Sequence, residues 1–142
     1  MTIESFTMEN SFLSNFYPCL IEFEGDIYPT LEHAYQAAKT YDPDERRKIR
    51  EEKRTGKAKQ MGKRVTKRED WEQIKVRVMK DLLKKKFENP KLRKLLLNTY
   101  PHDLVEGNSW GDTFWGKCKG NGKNMLGVLL MQIRSELRNE GW

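Results

Sequence analysis

The sequence predicts an α+β fold, mainly helical, arranged as a compact single domain with a small β-hairpin or short sheet. Three observations predict it. Apolar residues recur at helical spacing in successive segments after residue 30, and several of those segments open on a capping residue or a first-turn proline. Strand-like alternation is confined to the opening stretch and to a few residues near position 105. The chain of 142 residues suits one domain, residues 1–142, that buries roughly two-thirds of its unfolded surface without staples, and no internal repeat or linker divides it.

The elements follow in order. Residues 1–28 read as extended: Phe12 to Pro18 is a loop with aromatic anchors, Leu20-Ile21-Glu22-Phe23 alternates, and Gly25-Asp26 turns the chain into Ile27-Tyr28, which makes a hairpin. Thr30 is placed to cap a short helix that runs through Lys39. Asp42-Pro43-Asp44-Glu45 supplies an N-cap, a proline at the first helical position and early acids for a charged helix ending near Thr55-Gly56, and Thr55 to Met61 adds a turn or two. Glu69 to Phe87 is the strongest helix, with Trp71, Ile74, Val78 and Leu82 on one apolar stripe and Met79, Leu83 and Phe87 widening it. Asn89-Pro90 starts the next helix, stopped by Asn98-Thr99-Tyr100-Pro101, and Leu104-Val105-Glu106 reads as a short strand. A last helix begins near Asn124 and carries Leu126, Leu129, Leu130, Ile133 and Leu137, with Arg134 beside the stripe.

Composition bounds the function. The formal charge of +6 points to phosphate-bearing ligands, on a nucleotide or a polynucleotide, without identifying them. The longest apolar run, Met125 to Met131, is far too short to span a bilayer, and the N-terminus lacks a basic region followed by an apolar core, so no membrane partner and a cytoplasmic location are expected. Cys19 and Cys118 form no C-x-x-C pair and His33 and His102 stand apart; no metal site is expected, no cofactor is implied, and the cysteines are expected as free thiols. The oligomeric state is not fixed by the sequence.

Two stretches carry candidate chemistry. On the helix after Pro29, Glu32, Gln36 and Lys39 stand at i, i+4 and i+7 and share a face, while Leu31, Ala34, Tyr35 and Ala38 point inward. Glu32 falls in the first turn, where free backbone N–H groups stabilise a carboxylate; that is an address for a catalytic acid, and position alone favours an ordinary helix-starting glutamate. The second stretch, Gly107 to Lys123, holds five glycines, two tryptophans and Asp112, the content of a functional loop. Its Gly116-to-Asn124 run departs from a Walker phosphate loop in spacing and in having Asn124 where Ser or Thr belongs, yet a Gly-rich backbone entering a helix offers N–H groups to an anion. Other residues stay open between roles: Asn15 reaches a ligand or makes an Asx-turn, and Trp71 ends the core or stacks a base.

Taken together, Phe12-Leu13-Ser14-Asn15-Phe16, Tyr28 through Lys39, Trp71 with Val78-Met79 and Lys86-Phe87, and Leu104-Val105-Glu106 followed by Asp112, Trp115-Gly116, Gly122-Lys123-Asn124 and Leu126-Gly127 resemble the NADAR family of N-glycosidases, in the family's order and spacing from about residue 10 to 138. The resemblance implies a hydrolase that cleaves the bond between ribose and an exocyclic amine. Its substrate is a small ribosyl phosphate, as in phosphorylated ribosylamino-pyrimidine intermediates of riboflavin synthesis, or an ADP-ribosyl group on guanine, including guanine within DNA or RNA. By the same resemblance Glu32 becomes the catalytic glutamate, Asp112 and Glu106 match acidic positions of the late loop, and Trp71 and Trp115 become pocket walls. Gly116, Lys123, Asn124 and Arg134 are expected beside the substrate with Asn15, and Arg46 and Arg64 are further phosphate candidates. The sequence departs from the family pattern at His33-Ala34-Tyr35, where two aromatics are frequent, and in the composition of the 107–122 loop.

Breaking a ribosyl–nitrogen bond builds positive charge on the sugar and requires a proton on the leaving amine. Glu32 is therefore expected to shuttle the proton and Asp112 to stabilise the sugar cation or orient water. Lys39 offers a second route, capture of the ring-opened sugar as a Schiff base, beside the plainer roles of binding phosphate or pairing with Glu32. The rival class is a non-enzymatic nucleotide or nucleic-acid binding module, supported by the basic charge and interleaved tryptophans and weakened by the lack of a standard reader motif.

Overall fold

The computed structural model describes residues 1–142 and has six α-helices, a 3-10 helix over Met8–Leu13 and three two-stranded sheets. The fold is α+β and mainly helical, as expected. Backbone contacts divide it into two units, one of Asn15–Lys86 and one formed by Met1–Ser14 with Phe87–Trp142.

In the 15–86 unit, strands β2 (Pro18–Phe23) and β3 (Asp26–Thr30) form the expected antiparallel hairpin, with Ile21 opposite Tyr28. Thr30 ends β3 and caps α1 (Leu31–Ala37), its hydroxyl accepting the His33 N–H at 3.1 Å. Helix α2 (Pro43–Glu51) starts at Asp42, whose Oδ1 accepts from the Asp44 and Glu45 N–H groups, and Pro43 occupies the first turn, where its missing donor costs nothing. Helices α3 (Thr55–Met61) and α4 (Trp71–Lys86) complete the unit. Helix α1 is its hub, packed against the hairpin and against α2, α3 and α4. Being covered from every side, it is buried at all seven positions, including Glu32, His33 and Gln36. The amphipathic pattern places those polar residues on a separate face; the structure buries that face as well. His33 meets the cost through both ring nitrogens: Nε2 donates to the Glu52 carbonyl at 2.7 Å and Nδ1 lies 2.7 Å from the Thr30 hydroxyl, an arrangement satisfied by the Nε2–H tautomer.

In the other unit, β1 (Thr2–Ile3) runs parallel to β4 (Asp103–Leu104), pairing Ile3 with Leu104. The strand expected at Leu104 to Glu106 thus lies one residue earlier and ends before Glu106. Helix α5 (Pro90–Leu97) begins at the Asn89 cap and packs on the 3-10 helix, and α6 (Met125–Asn139) packs on β4 and α5. Strands β5 (Gly107–Asn108) and β6 (Lys117–Cys118) pair in parallel within the late loop. Gly127 is required where α6 crosses β4, because a Cβ there would strike the Leu104 carbonyl oxygen. Cys19 and Cys118 are free thiols, and no helix is long and apolar enough to cross a membrane.

Candidate active site

The site is built around the first two turns of α1. The backbone N–H of Glu32, a donor with no partner inside the helix, is taken by the Asn15 carbonyl at 3.0 Å, so the loop before β2 is tied to the helix start. The Glu32 side chain is only 7% exposed, and its Oε2 accepts a 2.5 Å hydrogen bond from Nε2 of Gln36, one turn along. Burial pushes the Glu32 carboxyl above its ordinary range; the Gln36 bond and the charges of Lys59 and Lys39 act the other way and are outweighed. Lys39, half-buried, shows the complementary effect: burial lowers its ammonium, Glu32 raises it, and Lys67, Lys59 and Lys63 lower it further. Helix α1 ends at Ala37, short of the expected Lys39, so the acid that holds its proton more tightly stands in the first turn of the helix and the amine that releases it more readily stands in the turn just past its end.

Two buried acceptors beside them, Oε1 of Gln36 and Oδ1 of Asn15, have no hydrogen-bond partner in the protein. The Asn15 side chain makes a weak contact from Nδ2 to the Met79 sulfur at 3.6 Å. Acceptors left bare next to a buried acid suit a ligand with hydroxyl or amine donors. Gly62, the residue that ends α3, lies against the Gln36 amide so closely that a Cβ would overlap it.

Trp71 also belongs to this unit; it is 3% exposed and packs at 5.1 Å against Tyr35, as part of the interior beside α1. Arg46 pairs with Glu24 at 2.7 Å and donates to the Thr40 carbonyl, while its Nη2 is buried without a partner in the protein.

The remaining expected site residues lie in the other unit. Asp112 organises the late loop: Oδ1 accepts from the Phe114 and Trp115 N–H groups at 3.1 and 2.9 Å, and Asn108 bonds the Asp112 backbone at both its N–H and its carbonyl. Asn108 also donates to Oε2 of Glu106 at 3.3 Å, and Gly116 is buried against Glu106 where any Cβ would collide with it. The Trp115 ring stands edge-on to Phe114, with centroids 4.8 Å apart, and the Lys123 ammonium lies 5.6 Å from the Phe114 ring. Asn124 is a structural latch, its Oδ1 accepting from the Glu106 N–H at 2.9 Å and its Nδ2 donating to the Leu104 carbonyl at 2.8 Å. Nη1 of Arg134 donates to the Thr99 hydroxyl and the His102 carbonyl at 2.9 and 2.8 Å.

The anion site expected at the start of α6 is also corrected. The N–H groups of Lys123, Asn124, Met125 and Leu126 already donate to the carbonyls of Thr113, Gly116, Phe114 and Trp115, so the loop itself consumes the donors that an anion would need. Sequence reasoning missed Gly62 and Asn108. Gly62 carries no signal beyond being a glycine, and Asn108 could have been found only by knowing that its loop folds back on it.

The chain belongs to the NADAR family, whose domain model matches residues 4–138. It is 42% identical over 131 residues to N-glycosidase YbiA of Escherichia coli K12, covering 89% of this chain and 81% of that protein. A riboflavin biosynthesis protein of Vibrio vulnificus is 38% identical over 133 residues, which span 91% of this chain and 36% of that longer protein. The NMR structure of E. coli YbiA matches with a TM-score of 0.85 at 39% identity, covering 99% of this chain and 85% of that one. The protein is accordingly an enzyme, a hydrolase acting on N-glycosyl compounds.

Proposed function

We propose that the protein hydrolyses the N-glycosidic bond between ribose and the exocyclic amine of phosphorylated ribosylamino-pyrimidine intermediates of riboflavin biosynthesis, with Glu32 as the proton shuttle. The observation that carries the catalytic assignment is the Glu32 carboxyl itself, buried, held by Gln36 and displaced toward its protonated form. The riboflavin name of the Vibrio relative supports the substrate class.

The chemistry follows from that position. Protonated Glu32 gives its proton to the leaving nitrogen as the bond to the anomeric carbon lengthens, so the amine departs neutral and the electron pair of the bond stays with nitrogen. The carboxylate left behind faces a sugar carrying positive charge, then takes a proton from the water that attacks the anomeric carbon, and the acid is regenerated. The half-buried amine of Lys39 supports a covalent variant: it adds to the ring-opened sugar at C1, expels the heterocyclic amine, and water hydrolyses the resulting imine to free sugar and free lysine.

Parallel turnover measurements on a ribosylamino-pyrimidine 5′-phosphate, on ADP-ribosyl-guanosine and on ADP-ribosylated DNA test the proposal. Release of ribose 5-phosphate from the first, abolished by Glu32→Gln in a protein of unchanged circular dichroism, is the expected result. Turnover confined to the ADP-ribosylated guanines would move the activity to that substrate class. Salt-dependent association without sugar release would overturn the enzymatic reading.

A further inference from the structure

We propose that a pocket beside the C-terminal end of α1 is a nucleotide subsite, in which Tyr41 stacks an amino-substituted base and Lys67 meets its phosphate. The pocket has a volume of about 600 Å³ and is walled by residues 40–42 and 66–70. That volume lies in the range of small-ligand sites.

Tyr41 is 65% exposed yet fixed in place. The Arg68 guanidinium covers one face of its ring, 4.1 Å from the centroid, and is itself locked by a two-pronged bond to Asp70 at 2.7 and 3.0 Å. The Arg68 backbone is anchored in turn, its N–H donating to the Lys39 carbonyl at 2.8 Å. A rigid, backed ring that remains largely exposed to solvent is a platform for a planar heterocycle.

The rim defines which heterocycle. Asp42 caps α2 and Asp70 holds Arg68, which leaves Glu69 as the rim carboxylate for the base; it accepts from the adjacent amino and ring N–H groups of guanine or from the adenine amino group, whereas the ring N–H of uracil is flanked on both sides by carbonyl oxygens that a carboxylate repels. Lys67 is the cation left for a phosphate, since it is 56% exposed and its one ion pair, with Glu72, is loose at 3.8 Å. A bound nucleotide has its base over Tyr41 and its phosphate at Lys67, both of which line the pocket.

Either a free nucleotide or the nucleotide end of a larger substrate has this chemistry. The plain alternative is that Tyr41 and Arg68 merely brace the turn between α1 and α2. Calorimetric titration of the full chain with GMP, AMP and UMP separates these readings. GMP or AMP should bind at least tenfold more tightly than UMP, and Tyr41→Ala should lose at least tenfold of that affinity with its melting temperature unchanged, while Tyr41→Phe keeps it. The same titration on Glu32→Gln should match the wild type, so the subsite stands or falls independently of the catalytic assignment.

A rise in KM for ADP-ribosyl-guanosine in Tyr41→Ala, without one for the ribosylamino-pyrimidine phosphate, would assign the pocket to the substrate's own nucleotide end. Unchanged KM for both, with GMP binding lost, would assign it to a separate nucleotide. Failure of all three nucleotides to bind, UMP binding equal to GMP, or Tyr41→Ala binding like the wild type would overturn the proposal.

Discussion

Nε2 of Gln36 donates a 2.5 Å hydrogen bond to Oε2 of Glu32, joining two side chains that are 3% and 7% exposed at the centre of their unit. The bond fixes the carboxyl's orientation and favours its ionised form, while the surroundings favour the neutral one. Because burial is the larger effect, the native protein retains a proton at Glu32 that the unfolded chain releases once the pH passes the ordinary value of 4.5.

The first prediction is thermodynamic. Between 4.5 and the raised native value the folded state binds more protons than the unfolded one, so stability falls as pH rises through that window and the loss is complete above it. Each pH unit of displacement corresponds to about 1.4 kcal/mol. Glu32→Gln removes the ionisable group, so it should melt above the wild type at pH 7, with the gap closing below pH 4.5, while turnover drops by about 10²- to 10⁴-fold. Scanning calorimetry across pH, alongside turnover assays, checks both; a melting difference between Glu32→Gln and the wild type that is the same at pH 4 and pH 7 would mean that the carboxyl is not desolvated.

Gly62→Ala tests the same pair from outside the helix. The φ of Gly62 is −61°, so alanine suits the backbone, and the obstacle is the overlap of its Cβ with the Gln36 amide. Moving that amide breaks its bond to Glu32. Turnover should fall by roughly tenfold or more, with a stability cost of about 1–3 kcal/mol from overpacking. Loss of the Gln36 bond should also carry the alkaline limb of the pH–rate profile to higher pH, because the bond opposes the raised Glu32 value. A profile unmoved in a folded variant would show that Gln36 does not tune the acid.

The capping residues and first-turn prolines made α1, α2 and α5 legible in the sequence, because Thr30, Asp42 and Asn89 act through local bonds to the next turn. The i, i+4 spacing of Glu32 and Gln36 likewise announced their contact. Burial of the polar face of α1 was not legible, since it depends on α2, α3 and α4 closing around the helix. The late loop was misread for the same reason. Its glycines suggested free N–H groups for an anion, but the carbonyls that consume them come from residues 113–116, brought back by the Asp112 turn and the β5–β6 pairing. Trp71 could not be placed without knowing that Tyr35 packs on it.

Asn124 should prove structural. Its side chain satisfies the Glu106 N–H and the Leu104 carbonyl together, and its own backbone adopts a left-handed conformation with φ of 53°. Asn124→Ala abandons both partners and strains the backbone, at a cost of about 2–4 kcal/mol in urea denaturation. Asn124→Gly relieves the backbone and loses the same bonds, so it should recover about 1 kcal/mol of that deficit. Recovery of full stability by the glycine variant would show that the latch contributes nothing and the conformation everything.

The last prediction separates two uses of Lys39. Its amine is displaced toward the neutral form chiefly by burial, with Glu32 opposing, so a larger fraction is nucleophilic at neutral pH than for an exposed lysine. If the amine forms an imine with the ring-opened sugar, borohydride added during turnover should leave a stable sugar adduct on Lys39, detectable by mass spectrometry. Lys39→Arg keeps the positive charge but has no amine to form that bond, so the covalent route predicts a loss of about 10²-fold or more, close to that of Lys39→Ala. A charge that only steadies Glu32 or a phosphate predicts instead that Lys39→Arg keeps most of its activity and that no adduct is trapped. The pH profile supplies the third readout: removing the cation lifts one of the influences that lower the Glu32 value, so in Lys39→Ala the limb governed by that acid should move to higher pH on either route.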